Sequence, residues 1–182
     1  PAHALLAAYR SKTLSPVEVT QAVLAHIARW EPALHATWLL RPEAALQQAR
    51  ASEARWLRGE PLGLLDGVPT TIKENIATQG DAMPLGTAAT VLAPAAADAP
   101  PAARLREAGA VILSKTTMPD YGMLSSGLSS FHTTARNPWD TRQTPGGSSA
   151  GAGAAAAAGY GPLHIGTDIG GSIRLPAGWC GI

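Results

Sequence analysis

The sequence predicts an α/β layered domain. Three observations carry this reading. Helical stretches lie at residues 16–30, 42–58 and 100–108, and short apolar runs at 110–113 and 163–166 read as buried strands. Gly109 stops the third helix immediately before its strand, the step from which layered α/β folds are built.

Ser15-Pro16-Val17-Glu18 opens the first helix: Ser15 caps, Pro16 suits the first turn and Glu18 completes a capping box. Val19, Val23, Ile27 and Trp30 fall on one face, with His26 at its boundary. A turn at Glu31-Pro32 leads to a strand from His35 to Leu40. The helix at 42–58 turns Ala45, Leu46, Ala49, Trp56 and Leu57 inward. A turn at Gly63–Gly67 feeds a strand from Val68 to Ile72 that ends at Lys73. A loop rich in Ala, Pro and Gly then runs to about Asp98. Residues 122–147 form a long polar loop, and loops of that length are often functional. Ser149–Ala158 is an Ala-rich helix closed by Gly159, and Leu163–Gly166 is a strand entering a glycine-serine turn.

Composition narrows the function. A chain of 182 residues holds one domain with a real core. The net charge of +1, without a lysine-arginine cluster, argues against nucleic acid or an anionic membrane as partner. Cys180 is alone, which excludes an internal disulfide and fits a reducing, cytoplasmic setting. The longest nearly apolar stretch, Ala150–Pro162, is too short to span a bilayer. The chain opens at Pro1 and closes at Gly181-Ile182, so the natural polypeptide is expected to continue beyond its most motif-dense segment.

The chemistry gathers at Lys73, at Gly146-Gly147-Ser148-Ser149 and at Gly170-Gly171-Ser172, with the serines 172 − 148 = 24 positions apart. A serine hydroxyl attacks well only when a base takes its proton, and a buried, neutral lysine can be that base. Each signal alone has a plainer reading. A lysine after an apolar run is ordinarily a strand-end charge reaching solvent, and a Gly-Ser run before an Ala-rich helix is ordinarily a cap. The second turn is harder to dismiss, because adjacent glycines let successive N–H groups converge as an oxyanion hole does. Gly147–Gly151 also fits G-x-S-x-G, with Ser149 as nucleophile, but no strand precedes it. His164 and Asp168 also follow in the wrong order for that fold. Nucleotide loops are absent, and the five histidines have no ligand spacing. His132 and His164 read as structural or surface residues.

Taken together, Leu65–Pro69, Ile72–Ile76, Ala110–Thr116, Arg136–Asp140, Pro145–Ser149 and Gly166–Ala177 resemble the amidase signature family. The resemblance runs from Pro61 to Ile182. It implies a three-layer α/β/α domain around a large mixed sheet, of which this chain is the N-terminal part. Residues 1–60 would be a helical packing region and 61–182 a catalytic core segment. It further implies Ser172 as nucleophile, Ser148 as bridging serine after a cis Gly147–Ser148 peptide, and Lys73 as base. The backbone N–H groups of Ile169, Gly170, Gly171 and Ser172 form the implied oxyanion hole. Gly147, Ser149, Asp168 and Arg174 would support the site. No cofactor or metal is implied, and the partner is a small-molecule amide; homo-oligomerisation is left open. Ala150, Ser114 and Thr117 depart from the pattern without touching the three catalytic positions.

The leading expectation is hydrolysis of a linear carboxamide through a Ser172 acyl-enzyme. The alternatives are the glutamine-hydrolysing subunit of a tRNA-dependent amidotransferase and an allophanate hydrolase. Ala82–Thr87 looks more like a free-standing amidase. A scaffold with a decayed site is disfavoured by the intact trio.

Overall fold

The computed structural model describes residues 1–182. In chain order the elements are α1 (Ala2–Ser11), α2 (Pro16–Leu34), β1 (Thr37–Leu40), α3 (Pro42–Arg58), β2 (Pro69–Lys73), α4 (Pro100–Glu107), β3 (Val111–Thr116), a 3₁₀ turn (Asp120–Gly122), α5 (Ala150–Ala157), β4 (Leu163–Ile165) and α6 (Arg174–Cys180). No helix is long and apolar enough to cross a membrane.

The four strands form one mixed sheet in the order β1-β3-β2-β4. β1 runs antiparallel to β3, while β2 is parallel to both β3 and β4. Alternation along β3 separates two cores. Val111 and Leu113 meet Ile27 and Leu34 of α2, Ala45 and Ala49 of α3, and Ala154 and Ala155 of α5. Ile112 turns to the other face, where Ala102 and Leu105 of α4 pack with Ile72. The sheet is therefore covered on both sides, giving the three layers expected.

The Ser15 capping box forms as expected: Ser15 Oγ accepts from Glu18 N at 3.2 Å, and Glu18 Oε2 accepts from Ser15 N at 2.8 Å. The helix then passes the predicted stop at Glu31-Pro32 and ends at Leu34, capped by His35 with a left-handed φ of 51°. Pro32 lies in the last turn and is exposed, so the carbonyl it leaves without a helical donor is near water. Trp30 is 43% exposed; the buried line runs instead through Thr20, Ile27 and Leu34. On α3, Leu57 is 61% exposed and Ser52 takes the inward place. The strand expected from His35 begins at Thr37. α1 and α6 were not anticipated. α1 docks through buried Tyr9, whose hydroxyl donates to Gly67 O at 3.1 Å.

β3 runs three residues past its apolar stretch, through Ser114, Lys115 and Thr116. Lys115 stays buried because its ammonium donates to the Ile76 carbonyl and to Thr78 Oγ1. Behind β2, the buried Asp66 carboxylate takes two hydrogen bonds from Arg55, at 2.9 and 2.6 Å, and one from Leu62 N at 2.8 Å. That knot fixes where the chain enters β2.

α5 approaches the sheet at Gly151. A Cβ there would lie 2.1 Å from Ala36 O and 2.5 Å from Thr117 N, both rigid backbone atoms. Gly151→Ala should therefore cost about 1–3 kcal/mol in denaturant unfolding. Gly178→Ala, with nothing within 4 Å of the added carbon, is the control and should be near neutral. Equal stability of the two variants would mean that α5 is not seated this closely.

Candidate active site

β2 and β4 are parallel and end on the same side of the sheet, where open α/β folds place their ligands. Lys73 is the last residue of β2, and the turn 166–173 leaves the end of β4. The third contributor is the approach to α5, where Gly147–Ser148 is a cis peptide. A Cβ on Gly147 would lie 2.5 Å from Ser126 N and 2.6 Å from Leu124 O, so only glycine fits between those backbones.

These segments bring Lys73 onto three hydroxyls. Its Nζ lies 2.8 Å from Ser148 Oγ, 3.0 Å from Ser149 Oγ and 2.9 Å from Thr167 Oγ1. Lys73 has no solvent exposure. Burial pushes its pKa down to about 8, against the pull of Glu74 and Asp168. The neutral amine is thereby more accessible near neutral pH than for a solvated lysine.

Ser148 and Ser172 line one cleft of about 350 Å³, with Asn75, Met118, Tyr121, Gly122, Met123, Leu124, Ser125, Thr167, Ile169 and Gly170. Lys73 and Ser148 are bonded directly, whereas Ser172 shares the cleft without a hydrogen bond to Ser148. The Ser172 carbonyl accepts from Ser149 N at 3.1 Å, which ties the two glycine-serine turns together.

Asp168 organises the second turn. Its carboxylate accepts from Gly171 N at 2.7 Å, Ile173 N at 3.0 Å and Arg174 N at 3.2 Å, and from the Arg174 guanidinium at 2.8 and 3.0 Å. Those Arg174 bonds hold the Asp168 carboxyl well below the usual carboxylate range. One expected donor is thereby used: the Gly171 N–H is engaged by Asp168 and is not free for an oxyanion. The amides of Ile169 and Gly170 make no hydrogen bond within the chain, and both residues are exposed.

Three residues that sequence reasoning passed over belong to this region. Thr167 and Asn75 both stood inside the motif blocks, but nothing in their spacing pointed to Lys73. Asn75 Nδ2 donates to Thr167 Oγ1 at 3.1 Å. Buried Glu74 accepts from His132 Nε2 at 2.8 Å, so His132 ties the long loop to the end of β2. His164 lies behind the strand ends, bonded to Thr71 Oγ1 at 2.8 Å and to Gly161 O at 3.0 Å. Burial lowers its pKa to about 4, so it is neutral.

A family model described as Amidase matches residues 18–182. A glutamyl-tRNA(Gln) amidotransferase subunit from Thermobifida fusca (strain YX) is 46% identical over 178 residues, covering 97% of this chain and 35% of that protein. The chain thus spans little more than a third of that curated relative. The native peptide amidase from Stenotrophomonas maltophilia superposes with a TM-score of 0.88 at 34% identity, over 95% of this chain and 37% of that one. A bacterial aryl acylamidase of the amidase signature enzymes gives 0.87 at 33% identity, over 97% and 37%. With sequence, fold and family model in agreement over nearly its whole length, the chain belongs to the amidase signature family.

Proposed function

We propose that this chain carries the nucleophile and the proton relay of an enzyme that hydrolyses a carboxamide C–N bond through an acyl-enzyme on Ser172. One observation carries the reading: a fully buried lysine amine bonded to Ser148 at the edge of the cleft that Ser172 lines. Neutral Lys73 takes the Ser148 proton, and the Ser148 oxygen takes that of Ser172 as its Oγ bonds to the amide carbon. The carbonyl electron pair moves onto oxygen, where the free N–H groups of Ile169 and Gly170, with that of Ser172, receive the charge. As the tetrahedral intermediate collapses, the ammonium of Lys73 returns a proton through Ser148 to the leaving nitrogen. Water then repeats the sequence on the ester and frees the acid. Asp168 and Arg174 hold the turn in shape and take no proton.

The second reading, a glutamine-hydrolysing amidotransferase component, has its own support in the name of the relative at 46% identity. Ammonia release from glutamine, simple aliphatic amides and allophanate, measured on the full-length polypeptide, separates these readings. Turnover confined to glutamine selects the second; turnover of aliphatic amides selects the first.

Ser172→Ala should reduce turnover by at least about 10³-fold and abolish covalent labelling by a fluorophosphonate. Stoichiometric labelling of that variant would reassign the nucleophile.

The pH dependence has a fixed sign. The base form of Lys73 is neutral, so raising the pH creates it. kcat/KM for an uncharged amide should climb about tenfold per unit below pH 8 and level off above it. Lys73→Ala should lose several orders of magnitude in rate; a profile flat from pH 6 to 9 would remove lysine as base.

A further inference from the structure

A neutral lysine amine has two N–H bonds and one electron pair, and Lys73 has three oxygens around it. Which oxygen faces the electron pair decides whether the amine can draw a proton from Ser148. Ser149 Oγ gives its own hydrogen to the Thr167 carbonyl at 3.2 Å, so toward Nζ it is an acceptor. Thr167 Oγ1 accepts from Asn75 Nδ2 at 3.1 Å and from Nζ at 2.9 Å, which fills both of its lone pairs. Ser148 Oγ has Nζ as its hydrogen-bond partner and no other. The Ser148 hydrogen and the amine's electron pair are left for each other.

We infer that Thr167, backed by Asn75, is a positioning residue that turns the free electron pair of Lys73 toward Ser148. The inference rests on the reading of Lys73 as base. It has one competing arrangement. Rotated about its C–O bond, the Thr167 hydroxyl would donate to Nζ, occupy the electron pair and make Lys73 a donor to Ser148, the wrong direction for a base. Thr167 lines the cleft. An acceptor arriving there, such as water or an amide carbonyl oxygen, takes the Thr167 hydrogen and favours the productive arrangement. Once Ser148 has released its proton, the ammonium has three N–H bonds for three oxygens, and the same shell holds the product of the transfer.

Thr167→Val on the full-length polypeptide tests this, because it keeps shape and removes the hydroxyl. The charged groups that face Lys73 are Glu74, itself paired with His132, and Asp168; the substitution alters none of them. The ammonium loses an acceptor, so the acid limb of kcat/KM should move to lower pH by about one unit. The plateau should fall about 10- to 100-fold. Thr167→Ser should restore both, and Thr167→Ala, which adds no bulk, should reproduce the shift if the valine variant folds poorly. A wild-type limb and plateau in both the valine and alanine variants would overturn the inference, as would a serine variant as impaired as they are. Lys73→Ala in the same assay keeps the two ideas apart. Near-normal rate there undoes the base itself, whereas a dead Lys73→Ala beside an unchanged Thr167→Val undoes the positioning role alone.

Discussion

The Lys73 amine is buried at the end of a strand, with hydroxyl oxygens as its only hydrogen-bond partners. A carboxylate in direct contact would hold the proton on the amine; water would do the same. Hydroxyls accept from the ammonium well enough to keep it in place, yet weakly enough for desolvation to pull the pKa toward neutrality. Everything else at the site arranges for those hydroxyls to be there. Lys115 gives the contrast. It is as buried, and burial likewise lowers it to about 8, but its ammonium is taken by the Ile76 carbonyl and Thr78, neither of which lines the cleft, whereas Ser148 and Thr167, which hold Lys73, both do. A depressed lysine pKa is thus not itself a sign of chemistry; the partners and the access decide.

The hydroxyls arrive from two distant segments, and the fold brings them together by close backbone approaches. Gly151 lets α5 rest on the β1 and β3 ends, which places Ser149 at the helix start. Gly147 lets the chain pass against residues 124–126, and Ser148 follows directly. β4, paired with β2 in parallel, delivers Thr167 two residues beyond its end. The bond from Ser149 N to the Ser172 carbonyl then locks the first turn to the second. Loosening any of these approaches would shift an oxygen relative to Nζ, and displacements of an ångström at such a site are costly to rate.

What was legible in the sequence divides along the same physical lines. The α2 start was readable because its cap is local: Ser15 and Glu18 sit three residues apart and bond each other. Lys73 with Ser148 was readable only through motif blocks, since nothing local predicts a contact across 75 positions. The polar end of β3 was missed because Ser114-Lys115-Thr116 are buried by tertiary partners that no periodicity reveals. α1 begins without a side-chain cap, and α6 carries Pro176 and Gly178, residues that ordinarily punctuate helices. Thr167 was hidden for another reason. Its role depends on which of its lone pairs are taken, and hydrogen-bond occupancy is not written in residue order.

The second turn shows how one engaged donor can make others useful. Adjacent glycines leave a backbone free to adopt many shapes, and a flexible array of amides would have to be ordered at the moment charge develops. Asp168 removes that freedom by accepting from Gly171, Ile173 and Arg174, with the Arg174 guanidinium closing over it. The Gly171 amide is given over to holding the turn. The amides of Ile169 and Gly170 are left without partners in the chain, and on the proposed reading these are the donors that meet an oxyanion. An aspartate that never meets the substrate would then act on the reaction by deciding which backbone donors are left over.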